Sequence, residues 1–226
     1  MGRSGTSCLA TNLPLQLSVN PLLHATGAGS IEDQLRRLPH LQGDRQQVIH
    51  RVRRDFRDVR KAKDAAEAIG HIPRPDEAIH LAVSGRFALW HVVPAVLKLS
   101  GQPIDELIIA TLGFSKRNIS AVCELLDAGQ IGSVHLLASH YFKGTSNEIY
   151  THAEKLFADR PDKAHFRSLR THAKVLLFRL SDQRTITVES SANLRSCKNI
   201  EQMTLIGDPG LHAFHRGWIL DLFNSK

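Results

Sequence analysis

The sequence predicts an α/β fold, a mixed sheet flanked by helices and preceded by a basic helical extension. Three observations carry this expectation. From about residue 78, strand-sized apolar runs alternate with segments whose apolar residues recur at helical spacing, the order that builds parallel strands with right-handed crossovers. Residues 171–194, THAKVLLFRLSDQRTITVESSANL, read as two apolar strands around a polar turn, which adds an antiparallel pair. Positive charge gathers upstream in RQQVIHRVRRDFRDVRKAK, residues 45–63, where Val48, Ile49, Val52, Phe56 and Val59 fall near helical spacing.

Taken in order, residues 1–43 mix Gly, Pro, Ser and Asn without sustained periodicity and are expected to be irregular. Residues 44–76 hold the basic helix, ending near Gly70, and the Pro-bearing connector HIPRPDEA. The α/β domain is expected over 77–226. It opens with IHLAVSG as a short strand and RFALWHVVPAVLKLSG as a helix closed by Gly101, with Pro94 demanding a late start or a kink. DELIIATLG reads as a buried strand, KRNISAVCELLDAGQIG as a helix and SVHLLASHYF as a further strand. SNEIYTHAEKLFADR is a helix with Ser146 as its N-cap. After the hairpin come IEQMTLIGD as a strand and LHAFHRGWILDLF as a closing helix.

Composition narrows the function classes. A chain of 226 residues with 42% apolar content suits one domain, or one domain with an appendage. No apolar run reaches the length of a membrane span, so stable membrane insertion is not expected. Three cysteines without paired spacing argue for a reducing setting, and a cytoplasmic location is expected. The formal charge of +7 points to an anionic partner, nucleic acid before membrane. Asp55, Asp58 and Asp64 interrupt the basic run, so a solvated face stands beside a nucleic-acid contact there.

The hairpin carries an unusual set of side chains at its open end. His172 and Lys174 lie two residues apart, as do Ser191 and Asn193, so each pair shares a strand face. A turn centred between Asp182 and Gln183 would set His172 opposite Asn193 and Lys174 opposite Ser191, forming one compact polar patch. An imidazole is a nucleophile or proton carrier near neutral pH, while an ammonium, a hydroxyl and an amide can hold phosphate oxygens. Glu201 is the first carboxylate after the hairpin able to orient an imidazole, with Glu189 as its rival. Such a set suits phosphodiester transfer with no metal and no cofactor.

These residues resemble the signature of the phospholipase D superfamily: His-x-Lys, four residues, Asp, six residues, then Gly-Ser-x-Asn. HAK supplies His172 and Lys174, and SSAN supplies Ser191 and Asn193, with Ser190 in place of the glycine. NIE, ending at Glu201, resembles the Asn-x-Glu that often follows. The motif covers about residues 171–202, and the α/β run extends the likeness to roughly the last 150 residues, most like short single-motif members from bacteria and phage. Two further departures stand out: Arg179 occupies the Asp position, with Asp182 nearby, and the hairpin is four residues longer than usual. The resemblance implies that His172 attacks phosphorus to give a phosphohistidine and that Lys174 and Asn193 hold the phosphoryl oxygens, with Ser191 assisting. It also implies that Glu201 orients an imidazole. Because the family's reaction uses two motifs and this chain has one, a homodimer joining two His172 residues is implied.

Further candidates lie at the carboxyl ends of the parallel strands. Lys116 and Arg117 precede a helix whose dipole disfavours cations, which an anionic ligand would offset; a solvated loop is the alternative. His140 and Lys143, with Tyr141 between them, could contact nucleic acid, although packing of Tyr141 and Phe142 is the commoner outcome. His212 and His215 share a helix face but lack a third convergent ligand, so no metal site is expected. The leading expectation is therefore a metal-independent phosphodiesterase acting on nucleic acid. A non-catalytic nucleic-acid-binding relative and a phospholipid or other phosphodiester hydrolase stand as alternatives.

Overall fold

The computed structural model describes residues 52–58, 64–84, 87–195 and 199–225. The irregular segment expected over 1–43, and residues 44–51 and 59–63 of the expected basic helix, lie outside the described residues.

Eight strands form one sheet: β1 (Arg53–Asp58), β2 (Glu77–Val83), β3 (Ile104–Thr111), β4 (Ile131–Ser139), β5 (Ala164–Leu169), β6 (Val175–Leu180), β7 (Thr185–Ser190) and β8 (Glu201–Ile206). The helices are α1 (Ala65–Ile69), α2 (Val92–Ser100), α3 (Lys116–Asp127), α4 (His140–Thr145), α5 (Asn147–Ala158) and α6 (Pro209–Asn224), with a 3₁₀ turn over Leu89–His91. Across the sheet the order is β1-β2-β8-β7-β6-β3-β4-β5. Parallel pairs, β1/β2 at one side and β3/β4/β5 at the other, flank the antiparallel strands β8, β7 and β6. The sheet is mixed, as the sequence predicts.

The helices follow from local chemistry. Asp64 caps α1 by accepting from the amides of Ala66 and Glu67, and Gly70 ends it at φ 77°. Pro94 is the third residue of α2, inside the first turn where an amide has no helical partner, so the late start removes the conflict. Ser115 and Asn118 make a reciprocal cap on α3. One sheet face is covered by α1, α2, α3 and α5 around fully buried Phe114, Phe178, Leu107 and Ile109. On the other, α6 packs Trp218, Ile219 and Phe223 against Ile108, Leu137, Val175 and Leu177.

The structure departs from the sequence reading at three points. Residues 53–58 of the expected basic helix are instead strand β1, paired in parallel with β2 from Arg53↔Glu77 to Asp58↔Ala82, so the sheet begins well before residue 77. Strand geometry explains its charges: Asp55 and Arg57 point the same way and bond at 2.7 Å, a pairing that i,i+2 residues cannot make on a helix. Phe56 stacks on His80 of β2, with ring centroids 5.0 Å apart. The second is β5, an edge strand that the sequence reading leaves unassigned because HFRSL gives little apolar signal. The third is the hairpin register. Pairing runs Val175↔Glu189 to Arg179↔Thr185, one residue away from the expected alignment. Three residues, Ser181–Gln183, make the connection, and Gln183 takes a left-handed conformation at φ 68°. That is the three-residue hairpin loop normally marked by Gly, and here no Gly marks it.

Candidate active site

Strand direction sets where the site lies. With β3 taken as running upward, β1, β2, β4, β5 and β7 also run upward and β6 and β8 downward. The upper edge therefore gathers the carboxyl ends of β4, β5 and β7 with the amino ends of β6 and β8. It carries Ser139 and His140, Arg170 to Lys174, Ser191 to Asn193, and Glu201. This is the edge at which ligands bind in open α/β sheets.

The corrected register changes how the polar residues meet. Lys174 faces Ser190, whose amide bonds the Lys174 carbonyl at 3.1 Å, and the ladder ends there. His172 and Ser191 to Asn193 lie beyond the ladder, so other contacts position them. Thr171 Oγ1 accepts from the Ala173 amide at 3.2 Å, turning the chain into β6. Lys174 Nζ donates to the His172 carbonyl at 2.9 Å and lies 3.0 Å from His172 Nδ1. An ammonium has no acceptor, so Nδ1 is the accepting atom of this contact. Partial burial holds the Lys174 ammonium below the usual lysine range, against the opposing field of the Glu201 carboxylate.

Ser191 donates its hydroxyl to Glu201 Oε2, accepts from the Gln202 amide at 3.1 Å and donates its own amide to the Gln202 carbonyl at 3.1 Å. Ser190, where the resembling signature has glycine, donates to the Gln202 carbonyl at 2.8 Å and accepts from the Ala192 amide at 2.9 Å. The hydroxyl thus shapes the bend that carries Ser191 and Asn193. Asn193 is fixed by its backbone: its carbonyl accepts from Leu89 at 3.1 Å, and the next amide, of Leu194, donates to Thr111 Oγ1 at 3.2 Å. Its side-chain Oδ1 is buried with no hydrogen-bond partner among the described residues. Glu189, the rival to Glu201, turns to the other sheet face and meets His215 of α6 at 2.9 Å. Arg179 is likewise away from this edge and pairs with Asp105 at 3.2 Å.

The outlying candidates divide. Lys116 meets the Glu148 carboxylate, so the chain itself supplies an anion beside that helix start. Arg117 is exposed next to it. Lys143 lies 4.9 Å over the Tyr150 ring. His140 instead shares a groove of about 770 Å³ with His172, together with Leu112, Tyr141, Arg170 and Thr171. Of the helical histidines, His212 is buried and His215 is engaged by Glu189 and Trp218. Among the described residues no three His, Cys, Asp or Glu side chains converge to hold a metal ion.

No family model matches the chain, and no curated protein matches it in sequence. Several solved structures are similar to it. A phospholipase D family member is among them: the protein Nuc from Salmonella typhimurium, 17% identical, matched over 59% of this chain and 87% of its own at a TM-score of 0.45. Polyphosphate kinase from Porphyromonas gingivalis is 15% identical over 64% of this chain, with a TM-score of 0.46; the match spans 25% of the kinase. An archaeal chromatin protein, described as having a novel mode of DNA binding, is 13% identical over 65% of this chain and 53% of its own, with a TM-score of 0.41.

Two groups at this edge escaped the sequence reading. Arg170 follows β5, and recognising HFRSL as a strand would have brought it to the edge with His172. Thr111 ends β3 fully buried and ties the Asn193 loop to the sheet; nothing in the sequence marks it apart from its place at a strand end.

Proposed function

We propose that the chain is a metal-independent phosphodiesterase that cleaves nucleic acid through a phosphohistidine at His172. The observation that carries the reading is the Lys174 ammonium, partly desolvated at the sheet edge and seated on the His172 ring. A bound phosphodiester competes for that ammonium. Movement of Lys174 to a non-bridging oxygen frees the ring nitrogen's lone pair, so substrate binding and unmasking of the nucleophile are one event. His172 then forms a bond to phosphorus as the bond to the leaving oxygen breaks, and a second histidine gives that oxygen its proton. Water next attacks phosphorus, the phosphorus–nitrogen bond breaks, and the water's proton returns to the second histidine. Lys174 and the Asn193 side chain hold the phosphoryl oxygens, charge stabilisation worth about 10²–10³ in rate per donor in comparable sites. Glu201 holds Ser191 and balances the Lys174 charge.

The second histidine is assigned to a second copy of the chain, in a homodimer that joins two His172 residues. The excess positive charge favours nucleic acid over a neutral lipid. The occupied ring nitrogen also supports a second reading, a nucleic-acid-binding protein without turnover.

The test is incubation of the protein and of His172→Ala with labelled single- and double-stranded DNA and RNA, and with phosphatidylcholine vesicles, in EDTA. Cleavage of nucleic acid by the wild type alone is expected. Salt-sensitive binding without cleavage would transfer the reading to a binding protein, and turnover of the lipid alone would replace the substrate class.

A further inference from the structure

We infer that Tyr141 is a nucleobase-stacking platform beside the phosphate position, and that the site therefore takes single-stranded nucleic acid. The phosphodiesterase reading enters only in locating the scissile phosphate at His172. The inference starts where β4 ends. Ser139 Oγ accepts from the Tyr141 amide at 3.3 Å, which turns the chain sharply into α4. That turn sends two adjacent rings in opposite directions. Phe142 goes inward, 3% exposed, with its ring 4.7 Å from that of Phe114. Tyr141 goes outward and is 70% exposed.

A single exposed aromatic ring needs no explanation by itself. Tyr141 differs in what it borders. It lines the groove of about 770 Å³ that ends at His172, with Leu112 as apolar wall and His140 and Arg170 as further planar groups. The volume suits a nucleotide, since small-ligand sites run from about 300 to 1,000 Å³. The chemistry suits one as well. A base offers a flat π-face to Tyr141, an imidazole or a guanidinium, and the adjoining phosphates are negative where Arg170 and Lys174 are positive. An uncharged lipid tail would use the ring but not the cations.

Strandedness follows from geometry. Inside a duplex both faces of a base are covered by its neighbours, so a base can stack on Tyr141 only after it has unpaired and left the stack, which is unfavourable. A single strand meets little of that cost. The platform therefore discriminates between the two forms without reading sequence.

The test measures binding apart from turnover. His172→Ala, alone and combined with Tyr141→Ala or Tyr141→Phe, is titrated into a short single-stranded DNA carrying 2-aminopurine and into the same sequence as a duplex. The expected result is quenching of the base fluorescence by the parent and the Phe variant. Tyr141→Ala should lose the quenching and weaken single-strand binding by about 5- to 150-fold, the range that loss of one base–aromatic stack spans. Duplex binding should change less than about twofold. Equal single-strand binding and quenching with Ala at 141, or tighter binding of the duplex, would overturn the inference. So would binding to phosphatidylcholine vesicles in place of DNA. Because no step requires cleavage, failure of the wild type to cut nucleic acid would defeat the catalytic reading alone.

Discussion

Acidification should destabilise this fold through one half-buried imidazole, His135 of β4. Its ring stacks on His165 at 4.5 Å between centroids and meets the edge of Phe223 at 5.2 Å under α6, and its Nδ1 is buried with no partner among the described residues. Burial pushes its pKa from 6.5 down to about 4; the neighbouring His165 and Arg216 act in the same direction and Glu106 opposes them. On lowering the pH, the unfolded chain takes up the proton near pH 6.5 while the folded chain refuses it until about pH 4. Stability from this group is therefore complete above pH 6.5, falls through the interval, and is flat below about pH 4. Integrated over the interval, the loss is at most about 3 kcal/mol, with about 2 kcal/mol gone by pH 5. Other groups contribute as well, among them His212, whose pKa burial also lowers, so the assay is a difference. Urea unfolding of the wild type and His135→Phe between pH 7 and 4 should give curves that converge or cross, with the variant gaining about 3 kcal/mol relative to the wild type. For m-values of about 1–3 kcal/mol/M, that is a relative midpoint shift of roughly 1–3 M urea. Parallel curves, with a constant gap at every pH, would refute the argument.

Three substitutions test other parts of the account. Lys174→Met should lower kcat/KM for phosphodiester cleavage by about 100-fold or more while leaving the urea midpoint nearly unchanged, because the ammonium serves the phosphate and not the core; a small kinetic effect would remove Lys174 from the site. Gln183→Gly should stabilise the fold by up to about 1 kcal/mol, the relief of a left-handed residue less the extra freedom of the unfolded chain, and a lower urea midpoint would contradict the hairpin geometry. Gly207→Ala should cost about 3 kcal/mol or more in the same assay, because its Cβ would lie 1.8 Å from the Arg74 carbonyl oxygen and neither backbone can step aside easily.

What was legible in the sequence was what burial writes into it. Strands β3 and β4 and helices α2, α3 and α5 bury long apolar runs or stripes, and Pro94 in the first turn of α2 shows its late start directly. The outer strands are different. β1 and β5 are covered on one side only by a neighbour, so Arg53, Arg54, Arg57 and Arg167 occupy strand positions that no apolar alternation marks. In β1, pairing with β2 overrides a pattern that fits a helix. The hairpin failed for a narrower reason: Gln183 accepts a conformation normally signalled by Gly or Asn, and one extra loop residue shifts every cross-strand partner. At the candidate site, residue types were readable and partners were not. Only the fold sends Glu189 to α6 and leaves Glu201 on Ser191, gives Lys116 the Glu148 carboxylate, and separates Tyr141 from Phe142.

The central claim is a covalent bond from His172 to phosphorus. The direct measurement is rapid acid-free quenching of the wild-type protein with a labelled oligonucleotide in EDTA, followed by mass analysis of the peptide that contains His172. The account predicts an acid-labile, base-stable phosphoryl adduct on His172 that appears together with the leaving fragment, decays as the phosphate-bearing product is released, and is absent from His172→Ala. Cleavage that proceeds with no adduct on His172, or with an adduct on another residue, would contradict it.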